Sequence, residues 1–127
     1  MDLVLDPAPL AVCRLPPGAP WPAPPPGADL YSVTRTTAEL SVVCHEGDEP
    51  DGARVEAGWR ALQVVGPLAF DLVGVIASLT VPLAEATIGV FVVSTFDTDL
   101  VLVKDADLAT AVDALHTAGH HLLPVSG

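Results

Sequence analysis

Val64-Val65-Gly66-Pro67-Leu68-Ala69-Phe70-Asp71 carries a strand into a Gly-Pro turn, and Thr95-Phe96-Asp97-Thr98-Asp99 is a polar turn one helix and one strand later. Between the two turns, residues 72–86 have helical periodicity and 87–94 are apolar and β-branched. Leu72, Val75, Ile76, Leu79 and Leu83 form one apolar stripe on that helix. Its start is expected near Phe70 and Asp71, with Asp71 at the N-cap or in the first turn, where a carboxylate suits the helix dipole. Gly74 then lies one turn in, leaving room for close approach. Pro82 lacks the N–H that would reach the Ser78 carbonyl, so the last turn is expected to kink or tighten. If one sheet edge carries both turns, they frame a pocket. The helix start offers free N–H groups to an anion, and the Thr/Asp turn offers oxygen to a cation.

The rest of the composition agrees with a small folded domain. The chain has 127 residues, half of them hydrophobic, and a net charge of −11 from 16 acids and five bases. So acidic a surface repels phosphate backbones, which argues against nucleic-acid partners. The longest uncharged runs, 72–84 and 86–96, fall short of a membrane span. Met1-Asp2-Leu3-Val4-Leu5-Asp6 lacks the basic region of a signal peptide, so a cytoplasmic protein is expected. Cys13 and Cys44 sit in apolar, strand-like runs without a CxxC spacing and read as buried reduced thiols.

Working outward, residues 10–15 form a short strand that Pro16 and Pro17 stop. Seven prolines between 16 and 26 exclude a regular helix. This run reads as an extended surface connector pinned by Trp21. An SH3-type ligand is the less favoured reading beside that of a rigid connector. Residues 31–36 and 39–44 form a hairpin, and 45–58 an acidic loop. A strand over 59–65 leads into the opening stretch. Residues 88–93 are apolar on both faces, as a central strand would be. Residues 100–103 return antiparallel to it. A second helix spans 105–118 with Asp105 as cap, core face Leu108, Ala111, Val112 and Leu115, and stop Gly119. Residues 120–123 form a last strand.

The order from 59 to 123 is therefore β-α-β-β-α-β, the ferredoxin-like unit of an α+β fold. The first half echoes it. Glu39-Leu40-Ser41-Val42-Val43 aligns with Asp99-Leu100-Val101-Leu102-Val103 at an offset of sixty. Two related subdomains follow, 1–58 with reduced helices and 59–127. The words Gly66-Pro67-Leu68-Ala69-Phe70, Ala77-Ser78-Leu79 with Pro82-Leu83-Ala84, and Ser94-Thr95-Phe96-Asp97-Thr98-Asp99 resemble the ACT domain family. More narrowly, they resemble small tandem-ACT proteins related to the CASTOR arginine sensors. Thr87 departs from the pattern, since relatives tend to have glycine there.

The resemblance implies a βαββαβ ACT fold in each subdomain, the first degenerate, and a ligand held between the two turns. Carried over, the ligand-binding residues are Gly66, Pro67, Leu68, Ala69, Phe70, Gly74 and Val75 on one side. Thr95, Phe96, Asp97 and Asp99 face them. The residue chemistry agrees: free helix N–H groups suit a carboxylate, Asp97 or Asp99 suits an ammonium or guanidinium, and Phe96 can cover an aliphatic stem. Asp and Thr in such a turn can equally serve the turn itself. His116, His120 and His121 do not complete a metal set, since Gly119 breaks the helix between them. No P-loop, dinucleotide fingerprint or nucleophile elbow is present. The expected function is a non-catalytic regulatory sensor of a small molecule, an amino acid, with no cofactor. It is expected to form a homodimer and to act on a protein effector. The alternative is a protein-interaction or dimerisation module whose pocket is vestigial.

Overall fold

The computed structural model describes residues 1–124. Alternation of Leu3 and Leu5 with exposed neighbours makes β1 (Asp2–Leu5), a strand that the polar start of the chain hid from the sequence reading. Leu3 pairs with Val64 and Leu5 with Leu62 of β5 (Arg54–Val64), antiparallel. The first seven residues accordingly group with the chain from Arg60 onward, and Ala8–Trp59 form a second compact unit. The 1–58 and 59–127 division thus differs from the observed grouping by one strand. β5 gives its second half to the first unit and its first half to the other.

In the unit that holds the opening stretch, β5 is followed by α1 (Val75–Glu85), β6 (Val90–Ser94), β7 (Asp99–Lys104), α2 (Leu108–Thr117) and β8 (His121–Leu122). This is the expected βαββαβ order, and β1 is an extra strand between β5 and β8. The strand order is β6-β7-β5-β1-β8. The most buried strand is β7, not β6: Leu100, Val101, Leu102 and Val103 are all buried. β6 pairs only with β7 among the described strands, and Val90 at its start is exposed. Both strands are unbroken apolar runs, and such runs do not reveal which one lies at the edge. Both helices pack on the face that carries Leu3, Leu62, Val64, Val101 and Val103. α1 contributes Val75, Leu79 and Leu83 at four-residue spacing, and α2 contributes Ala111 and Leu115.

The helix ends differ from expectation. α1 starts at Val75, five residues after Phe70, so Asp71 is not its cap and exposed Leu72 is not on its stripe. Gly66, Pro67 and Gly74 bound a segment whose local turns win over helical periodicity. Residues 105–107 form a separate 3-10 turn before α2, and Asp105 accepts a hydrogen bond from Arg60 Nη1 at 3.1 Å instead of capping. At the far end of α2, Gly119 adopts a left-handed φ of 97°, and His120 N–H bonds the Leu115 carbonyl. α1 ends in the same way without glycine. Thr87 takes the left-handed position, φ 61°, and Ile88 N–H bonds the Leu83 carbonyl.

In the other unit, β2 (Leu10–Leu15), β3 (Ser32–Arg35), β4 (Leu40–His45) and the first half of β5 pair antiparallel in the order β3-β4-β2-β5. The acidic loop before β5 is shorter than expected, because Arg54-Val55-Glu56-Ala57 is already strand. Those residues are exposed, which gave the stretch the polarity of a loop. Ala11, Cys13, Leu15, Leu40, Val42 and Cys44 form this unit's core on one sheet face, with Ala19 and Tyr31 packed against it. Residues 16–30 hold neither helix nor strand.

Candidate functional site

The end of β5 and the turn after β6 are stitched together by backbone and hydroxyl bonds. Thr98, buried in the polar turn, donates its hydroxyl to the Val64 carbonyl at 2.6 Å. Leu68 N–H donates to the Asp97 carbonyl at 2.7 Å. Within the polar turn, Thr95 N–H donates to the Thr98 carbonyl at 2.8 Å, and Thr98 N–H donates back to Thr95 Oγ1 at 3.2 Å. The turn's hydroxyls are thereby used in shaping it. Gly66 sits where the two strand ends nearly touch: a Cβ there would lie 3.0 Å from the Asp97 carbonyl oxygen. The Gly66–Pro67 peptide is cis.

Beyond this junction the chain runs through residues 68–73 to Gly74, whose φ of 85° turns it into α1. The first helical bond is Ser78 N–H to the Gly74 carbonyl, 2.9 Å. The amide groups of Val75, Ile76 and Ala77 precede it and lie outside the helical ladder. No side chain caps this end, and its first turn carries no acidic residue. The helix dipole therefore emerges with no acidic side chain in its own first turn to meet it.

Between the junction and this helix end lies a cavity of about 460 Å³, open to solvent. It brings together Leu68, Ala69, Phe70, Gly74 and Val75 from one side with Thr95, Phe96, Asp97 and Asp99 from the other. Of the residues singled out in the sequence, Gly66 and Pro67 are not in its lining; they hold the junction behind it. Leu72, Ile76, Ala77 and Thr98 also line it. Ile76 and Ala77 enter because the helix starts late. Thr98 is the one residue of the Thr95–Asp99 turn that the sequence reading left out of the site. Two carboxylates, Asp97 and Asp99, face into this space, and no Lys, Arg or His is part of its lining among the described residues. At the mouth the Phe70 and Phe96 rings meet, centroids 5.1 Å apart and tilted by 33°, each about four-fifths exposed (80% and 79%). The arrangement offers hydrogen-bond donors at one wall, carboxylates at the other and an aromatic pair at the entrance.

The histidines in and just after α2 are not part of this cavity's lining. His120 is buried and engaged at both ring nitrogens, with the Met1 amine at 3.1 Å from Nδ1 and the Ser78 carbonyl at 2.8 Å from Nε2. The His116 and His121 rings meet edge-on at 6.4 Å.

Comparison with known proteins fits this architecture. A model of the ACT domain matches residues 54–117, and a model of an N-terminal domain matches residues 9–51. The human cytosolic arginine sensor for mTORC1 subunit 1 is 36% identical over 58 residues, 45% of this chain. That match takes in only 18% of the sensor's length. Protein Atu0741 from Agobacterium tumefaciens superposes with a TM-score of 0.88 at 41% identity, over 96% of this chain and 91% of that one. The regulatory subunit of aspartate kinase from Thermus thermophilus shares the fold, with a TM-score of 0.66 at 11% identity, over 92% of this chain and 96% of that one.

Proposed function

The chain belongs to the ACT domain family, and we propose that it is a non-catalytic regulatory module that binds a free amino acid in the cavity between Gly74 and Asp99. The observation that carries this reading is the uncapped start of α1 facing Asp97 and Asp99 across one space. An amino acid presents a carboxylate and an ammonium a few ångströms apart. The carboxylate would accept from the amides of Val75, Ile76 and Ala77, and the ammonium or a cationic side chain would meet Asp99, with Asp97 nearer solvent. Phe70 and Phe96 would close over the aliphatic part. The cavity volume lies within the range of small-molecule sites. In the named relatives, one is called an arginine sensor and another a regulatory subunit, which supports the class of function. On this reading the unit Ala8–Trp59 is a reduced ACT-like subdomain, the protein works in the cytoplasm as a homodimer, and its output passes to a protein effector.

The test is calorimetry and thermal shift of the purified chain against each of the twenty amino acids at millimolar concentration. Saturation at a hundredfold excess over Kd would add about 2.7 kcal/mol of stability. Asp99→Ala should abolish the response. Absence of any heat or shift across the whole set would falsify the reading. A second reading, a dimerisation module with a vestigial pocket, draws on the exposed apolar side chains of Phe70, Leu72, Val73 and Phe96. A stable dimer in light scattering, blind to every amino acid, would favour it.

A further inference from the structure

Residues 16–28 carry a feature that the amino-acid site does not use. The segment is pinned by a turn at each end: Ala19 N–H bonds the Pro16 carbonyl at 3.0 Å, and Ala28 N–H bonds the Pro25 carbonyl at 3.3 Å. Gly27, φ 75°, supplies the left-handed residue of the second turn. Between the turns, prolines at 20, 22, 24 and 25 each fix φ near the polyproline II value. Exposure follows the same helix. Ala19, Pro22, Pro25 and Ala28 are partly buried, and the two residues after each of the first three are exposed. A period of three is the pitch of polyproline II. One edge of this left-handed helix thus lies against the unit, where Ala19 packs on the core. The other two edges, Pro20-Ala23-Pro26 and Trp21-Pro24, stand in solvent, with Trp21 60% exposed.

Arg35 of β3 fixes and charges this ridge. Its guanidinium donates to the carbonyls of Pro17 and Ala19 and lies 5.7 Å from the centre of the Trp21 ring. Arg14 precedes the prolines in the sequence but donates to the Ala38 carbonyl, and it is Arg35 that the fold brings against the ridge. In a chain of net charge −11, it places a positive group next to an uncharged apolar ridge.

We propose that the ridge formed by residues 20–26 is an interaction surface for a partner protein whose groove is lined with aromatic side chains and edged with acidic ones. Such grooves take two edges of a polyproline II helix and leave the third outward, and here the third edge is already occupied by the chain's own unit. The segment is held before binding, so little conformational entropy is lost on docking. Arg35 is complementary to the acidic edge. The ridge belongs to the unit Ala8–Trp59, whereas the proposed amino-acid site belongs to the other.

The test is titration of the ¹⁵N-labelled full chain with a purified SH3 domain and, separately, a purified WW domain. Shifts confined to residues 19–27, the Trp21 indole and Arg35 are expected, with Kd on the order of 10–1000 µM. Trp21→Ala combined with Pro24→Ala should weaken binding about tenfold or more while lowering the melting temperature by no more than a few degrees, since both side chains are largely in solvent. A free decaproline peptide should displace the chain, a readout independent of any variant. Arg35→Gln should weaken binding and flatten its salt dependence. Absence of shifts with both domains up to about 1 mM would overturn the proposal. So would shifts centred on Phe70 and Phe96, or binding indifferent to the double substitution and to decaproline.

Discussion

Nε2 of His120 donates to the carbonyl oxygen of Ser78 at 2.8 Å, forming the bond that Pro82, with no N–H, leaves unmade in α1. A proline one turn from the helix end is thereby tolerated inside a continuous eleven-residue helix. Because a carbonyl can only accept, Nε2 carries the ring proton and Nδ1 faces the Met1 amine. His120→Ala leaves the Ser78 carbonyl without this partner and should cost about 1–3 kcal/mol in urea unfolding. In a Pro82→Ala background the restored N–H takes over, so the same substitution should cost measurably less. Equal costs in the two backgrounds would show that the bond is not what His120 contributes.

Thr87 holds the left-handed position at the end of α1, φ 61°, where a β-branched side chain crowds the backbone. Its amide and that of Ile88 still close the helix on Ala84 and Leu83. Thr87→Gly keeps both bonds and removes the crowding. It should raise the unfolding free energy by about 1 kcal/mol, read from the denaturant midpoint at unchanged slope. A loss of stability would mean that the hydroxyl or methyl makes a contact worth more than the strain.

These two positions show how far the sequence alone reaches. Pro82 and the missing glycine at 87 are both visible as breaches of local rules, and so mark where the fold must compensate. The compensating group, His120, lies 42 residues from Ser78, and nothing in local periodicity links them. The same limit explains the misplaced start of α1. Leu72 and Val75 satisfy helical spacing equally well, but Leu72 is exposed and Val75 is buried, because the helix begins only after the left-handed Gly74. The cavity was legible because its walls are two turns rich in Gly, Pro, Thr and Asp, whose local chemistry is strong. β1 was missed because a four-residue strand with an aspartate at its start carries too little pattern to stand out.

Gly66 is the point at which the two walls of the cavity are held together. A Cβ on it would press on the Asp97 carbonyl oxygen at 3.0 Å and on Leu68 N at 3.2 Å, the two atoms of the bond that joins the walls. Neither is the end of a flexible side chain, so the junction itself must give. Gly66→Ala should destabilise by about 1–3 kcal/mol and weaken amino-acid binding beyond what the lost stability explains. Gly89→Ala, where a Cβ meets nothing within 4 Å, is the matched control and should leave binding unchanged.

The thiols of the other unit give a pH signature. Cys44 is fully buried, and burial, followed by the neighbouring Cys13, pushes its thiol from about 9 up to about 12; burial likewise raises Cys13. A folded-state value above the unfolded one means that the native state keeps a proton that the unfolded chain releases. Stability from this source is complete below pH 9 and declines as pH rises from 9 toward 12. Cys44→Ser should reduce that alkaline loss in unfolding titrations. In the native protein at pH 8 both thiols should resist a thiol reagent, and both should react once the chain is unfolded.

On the proposed reading, the charge pattern of the cavity sets which amino acids it accepts. Among the described residues of the lining, which hold no Lys, Arg or His, the anchors proposed for a ligand carboxylate are the amides at the start of α1, and these can satisfy one such group. A second carboxylate, as in glutamate or aspartate, would have to lie beside Asp97 or Asp99 with no basic side chain of the lining to offset it. Like charges a few ångströms apart cost more there than on open surface, because Asp99 is partly withdrawn from water. Neutral and cationic amino acids should therefore bind at least about tenfold more tightly than dicarboxylic ones in calorimetry at low salt. Asp99→Asn should shrink that discrimination from both sides, weakening the cationic ligands and relieving the repulsion of the acidic ones. Asp97→Asn should do less, because Asp97 is exposed and salt screens it. Tight binding of glutamate that survives in 0.15 M salt would mean that its side chain reaches a cation outside this lining, and the orientation proposed for the ligand would have to be reversed.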